Sequence, residues 1–189
     1  MSVVGGRHAS GTEEYGMTYI GSISNPVGPV ESWPIVELDG ERWHVAPVYV
    51  APVARADLPA LCDAWGCEVP TSALVDAIWR AADLRLNPYG LMRNFRIPKD
   101  MASPEAYASQ KRAIEREVAR LDYGTPFTIL AGTHKDFARM PGGRVDLYGF
   151  HTLAGIPIEK GATSHNETYV DYSQGWRPVR RVAECMEAA

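Results

Sequence analysis

Helical periodicity is confined to the middle of this chain, and β-favouring runs flank it on both sides. Within residues 57–84 and 103–121 apolar residues recur every three or four positions, whereas before and after they fall in short runs broken by Gly and Pro. That order suits neither a helix bundle nor a repeating strand–helix sheet. It predicts an α+β domain, an antiparallel β-sheet with an αα-hairpin and a third helix packed on it.

The helical signals are specific. Asp57 can cap a helix carrying Leu58, Leu61, Cys62 and Trp65, which Gly66 ends. Thr71 or Ser72 can cap a second, with Leu74, Val75, Ile78, Trp79 and Ala82 on one face. Ser103 then Pro104 opens a third helix, with Ile114, Val118 and Leu121 along its apolar side. The aperiodic stretch 86–102, with Tyr89, Arg93, Phe95 and Arg96, reads as a long loop expected to flank the site. Among the β-runs, Asp39-Gly40 between PIVEL and ERWHV is a hairpin signal, because both residues accept positive φ. The final third (PFTILAG, RVDLYGFHT, GIPIEK, ETYVDYS, RPVRRV) reads as an antiparallel meander. Residues 1–16 are Gly-rich and polar, a flexible tail before a single domain over 17–189.

With 189 residues, 46% of them apolar, the chain can bury a real core. It has no apolar run of membrane length, and no signal-peptide pattern at its start, so a cytoplasmic location without membrane contact is expected. A net charge of −4 argues against nucleic acid as a partner. The helix pair resembles a DNA-reading helix-turn-helix, but five acids face one base between residues 57 and 84. Cys62, Cys67 and Cys185 fit neither a disulfide framework nor a zinc knuckle and read as inert thiols.

Chemistry-capable residues gather between Gly132 and Arg177. Lys135 and Asp136 follow the run FTILAG, His151 closes VDLYGF, and His165 precedes a segment in which Tyr169, Asp171 and Ser173 alternate. On a strand those three would share a face. A His beside a carboxylate and a hydroxyl supplies a base, its orienting group and a nucleophile. YSQG at Tyr172–Gly175 looks like a cutinase nucleophile segment, but only 16 residues follow Ser173 and none is His, so that assignment fails. No cofactor is expected, and a catalytic metal is disfavoured because no metal-ligand motif is formed.

From about Leu58 to Val182 the chain resembles a family of uncharacterised bacterial and phage proteins. The first block is Pro70, Thr71, Leu74, Val75, Asp76, Ile78, Trp79, Ala81 and Ala82. Later come Gly132, Lys135 and Asp136 of a G-H-K-K-D motif, Tyr148, Gly149 and His151 of Y-G-W-H, and Gly155, Pro157 and Ile158. The last block, H-x-x-x-Y-x-D-Y-S-H-G-x-R, is met by His165, Tyr169, Asp171, Tyr172, Ser173, Gly175 and Arg177. Here Thr133-His134 stands in place of His-Lys, Phe150 in place of Trp and Gln174 in place of the second His. The resemblance implies a shared site and names no reaction.

The expected function is a small hydrolase cleaving an amide, ester or glycosidic bond. His165 or His151 would be the base, oriented by Asp171 or Asp136, with Ser173 or water as nucleophile. Lys135 and Arg177 would steady negative charge, and Tyr148, Tyr169 and Tyr172 would line the substrate site. The phage-like resemblance makes bacterial cell-wall material the expected polymer, beside small-molecule substrates. The alternative is a non-catalytic phage or carbohydrate-binding module, with Trp33, Trp43, Tyr89, Phe95 and Trp176 as stacking surfaces.

Overall fold

The computed structural model describes residues 17–18, 28–91, 100–121, 127–162 and 165–183. The expected tail, the remainder of MTYIGSI, Arg93, Phe95, Arg96 and Cys185 lie outside them. The architecture is α+β, and no described helix is long and apolar enough to cross a membrane.

The hairpin forms as its turn residues require. Strands β2 (Ile35–Leu38) and β3 (Glu41–Val45) pair antiparallel, and both residues between them take positive φ, 52° at Asp39 and 82° at Gly40. Helix α1 (Leu58–Trp65) ends at left-handed Gly66. Its Asp57 makes no cap bond to it, and accepts from the Ala54 N–H instead. The Thr71 hydroxyl caps α2 (Ser72–Ala81) through Leu74 N, and Ser103 caps α3 (Pro104–Arg120) through Ala106 N.

Strands β7 (Lys135–Arg139), β8 (Val145–His151) and β9 (Pro157–Ala162) form the antiparallel meander. The other three expected strands do not join it in that way. FTILAG shortens to β6 (Leu130–Ala131), parallel to β5 (Leu84–Arg85), because Gly132 turns the chain away at φ 92°. A Cβ there would lie 2.1 Å from the Leu86 carbonyl oxygen, so only glycine makes this turn. The run KDFAR, not expected as a strand, becomes β7. ETYVDYS is not a strand: the Asp171 side chain accepts from the N–H of Ser173 at 2.7 Å and folds the segment into a turn. Only β10 (Gln174–Gly175) follows, parallel to β7, and β11 (Val179–Arg181) crosses to pair with β3. Two short strands complete the set, β1 (Met17–Thr18) parallel to β4 (Tyr49–Val50).

Each helix covers its own apolar cluster. Leu58, Leu61 and Trp65 of α1 meet Val50, Phe137 and Leu147. Leu74, Ala77 and Ile78 of α2 meet Val36, Trp43 and Ile129, and Ala113, Ile114 and Val118 of α3 meet Leu84, Leu86 and Leu130. One segment enters all three: Tyr172 packs under α3, Trp176 under α1 and Val179 under α2.

Candidate functional site

The residues expected to converge are divided among four places. The first is the contact between α2 and β8. Nε2 of His151 lies 2.8 Å from Oδ1 of Asp76, and the Tyr148 hydroxyl donates to Oδ2 of the same carboxylate at 3.0 Å. Tyr148 and His151 are three residues apart, so a regular strand would send them to opposite faces. Two consecutive left-handed residues, Gly149 at φ 86° and Phe150 at φ 52°, turn the strand between them. That turn lets both side chains reach one acid. The Trp79 ring lies 5.6 Å from the imidazole.

The electrostatics suit a base. Burial lowers the His151 pKa, against the opposing pull of Asp76, so the ring is neutral near pH 7. A carboxylate accepts, so Nε2 carries the proton and Nδ1 keeps its lone pair. Gly149 packs directly against that nitrogen: a Cβ there would crowd Nδ1 at 3.3 Å and Val75 at 3.2 Å. Burial and Asp76 push the Tyr148 hydroxyl up to about 12, so it stays a donor. Lys135 stands opposite Gly149 on β7 and pairs with Glu159 at 3.2 Å.

The second place is the interior. Asp136 is not at an edge; it is 2% exposed and accepts from the Tyr49 hydroxyl at 3.3 Å. Burial raises its pKa to about 7. Arg177 is also interior, 1% exposed. Its guanidinium is buried, donates to the main-chain carbonyls of Ala46 and Leu130, and lies 4.0 Å over the Tyr49 ring. His134, out of register with the resembling motif, is buried beside Tyr49, and burial drives its pKa down to about 3.

The third place is the turn at residues 171–174. Ser173 is buried and its hydroxyl donates to Oδ1 of Asp171 at 2.6 Å. A serine bonded to an acid two residues back closes a turn and is not primed by an imidazole. Tyr172 is buried edge-on to Tyr89. The fourth is a small cavity where His165 stacks on Tyr169 at 4.1 Å, facing Arg55, Phe137, Asp146 and Gln174. His165 and His151 share no contacting residue in these two settings.

Sequence reasoning named Asp76 and Trp79 only as residues of the second helix and of the resembling block, and gave no site role to Glu159 or Arg55. Asp76 left a signal: an acid between the buried pairs Leu74-Val75 and Ala77-Ile78 of α2 needs a partner. The aromatic surface of the binding-module reading is absent among the described residues, since Trp33, Trp43, Tyr89 and Trp176 are all buried. No group of three metal-ligating side chains occurs among the described residues. No family model matches the chain, and no curated protein or solved structure is significantly similar to it.

Proposed function

We propose that the protein is a hydrolase in which His151, held by Asp76, is the general base. The observation that carries this is the Asp76–His151 bond at 2.8 Å, with the second ring nitrogen beside Gly149 making no hydrogen bond among the described residues. Nδ1 would take a proton from water, and the oxygen would add to a carbonyl or anomeric carbon. The leaving group would then take the proton back from the imidazolium. Water replaces Ser173 as nucleophile, because that hydroxyl is bonded to Asp171. Tyr148 holds the far oxygen of Asp76, which fixes the carboxylate that fixes the ring. Two blocks of the resemblance, one with Asp76 and one with Tyr148 and His151, supply this constellation. The same resemblance favours cell-wall material as the substrate.

The test is turnover on a panel of chromogenic esters, amides and glycosides and on purified peptidoglycan. His151→Ala should lower the rate at least about a hundredfold with the fold retained. His165→Ala should cost at least tenfold less than that, and a larger loss from His165→Ala would move the base to the other histidine. No turnover on any substrate would remove the hydrolase reading. A second measurement needs no substrate: ¹⁵N spectra should show the Nε2–H tautomer of His151 near pH 7, changing in Asp76→Asn.

A further inference from the structure

A cavity of about 570 Å³ opens at the start of β8, where Val145 lies six residues, or about 20 Å of strand, from His151. Its volume lies in the range of small-molecule sites. Its lining includes apolar Leu58, Pro59, Val69 and Val145 and charged Arg55, Arg144 and Glu167.

Arg55 is the under-used group there. Of its five donor hydrogens, one on Nη1 makes a long bond to the Val145 carbonyl at 3.4 Å, and Nε is buried without a partner, so the terminal nitrogens are the donors left for a ligand. Two carboxylates approach it only to 3.8 Å (Asp146) and 4.0 Å (Glu167), outside hydrogen-bond reach. Arg144 already neutralises buried Asp146 at 2.7 Å. Two guanidiniums therefore stand against two carboxylates, Glu167 on the lining and Asp146 buried outside it, a balance of charge that suits a zwitterion better than a bare anion.

We infer that this cavity binds a free α-amino acid with an apolar side chain. Its carboxylate would lie on Arg55, its ammonium on exposed Glu167, and its side chain against Leu58, Pro59, Val69 and Val145. The same carboxylate and side chain occur at a peptide C-terminus, which lacks the ammonium.

Calorimetric titration of the full chain with L-leucine tests this. Heat of binding is read without turnover, so the result stands apart from the hydrolase reading. Leucine should bind with a Kd on the order of 1 mM or tighter. Leucinamide and N-acetyl-leucine should each bind roughly tenfold more weakly, and Arg55→Gln should abolish leucine binding. Glu167→Gln, at an exposed side chain, should weaken leucine but leave N-acetyl-leucine unchanged. Tighter binding of N-acetyl-leucine than of leucine would overturn the free amino acid in favour of a peptide end. Absence of leucine binding would overturn the site altogether. Were Arg55→Gln to lower the melting temperature sharply, Glu167→Gln decides alone: unchanged leucine affinity there refutes the assignment.

Discussion

Gly149 is where backbone conformation and chemistry meet in one residue. Its φ of 86° strains any side chain, and a Cβ would press on Val75 at 3.2 Å and on the His151 ring at 3.3 Å. Gly149→Ala should therefore cost about 1–3 kcal/mol by urea unfolding and lower turnover further than stability alone explains. Arg177 makes the opposite case, a residue whose sequence setting suggested substrate and whose contacts are all internal. Arg177→Met would leave the carbonyls of Ala46 and Leu130 without their donor. A loss on the order of 3 kcal/mol is expected in urea unfolding, because each orphaned buried acceptor carries its desolvation penalty. A substrate clamp would instead raise KM in a protein of normal stability, and that result would restore the sequence expectation. Asp171 and Ser173 were legible as polar neighbours, but sequence alternation could not show that one would bond the other.

At the scale of elements, local chemistry was readable and long-range pairing was not. The Asp39-Gly40 hairpin, the Gly66 stop and the caps at Thr71 and Ser103 rest on interactions within a few residues, and all four occur. Thr71→Ala should lower stability by about 1 kcal/mol through the lost bond to Leu74 N, measured by thermal melting. Because that cap seats the helix carrying Asp76, the ¹⁵N signals of His151 should shift as well. Strand partners are another matter. β11 joins β3 from the far end of the chain, and β10 adds to β7 in parallel, pairings that no neighbouring residues specify. The candidate site suffered in the same way: Tyr148 and His151 were visible, yet their common partner lies on a helix seventy-two residues from Tyr148. Only the two left-handed residues between them make that meeting possible, and Phe150 at positive φ leaves no mark in composition.

For the molecule as a whole, two buried histidines and a buried carboxyl pull stability in opposite directions with pH. His134 is held neutral to about pH 3, so between 3 and 6.5 the unfolded chain takes up a proton the fold refuses, and stability climbs as pH rises. His151, also lowered by burial, adds to that slope. Asp136 is held protonated to about pH 7, so between 3.8 and 7 the fold keeps a proton the unfolded chain releases, and stability falls as pH rises. Asp136→Asn removes the falling component. Its stability relative to wild type should then rise between pH 4 and 6.5 by up to about 1.4 kcal/mol per unit, read from urea midpoints across that range. Parallel profiles would show that the carboxyl ionises normally inside the fold. The segment from Tyr172 to Val179, shared by all three apolar clusters, has a consequence in time as well as in space. A ribosome delivers this chain from its first residue onward, and each helix emerges well before the side chain that completes its core. Tyr172, Trp176 and Val179 are made after all three helices, so α3, α1 and α2 gain these partners in that order.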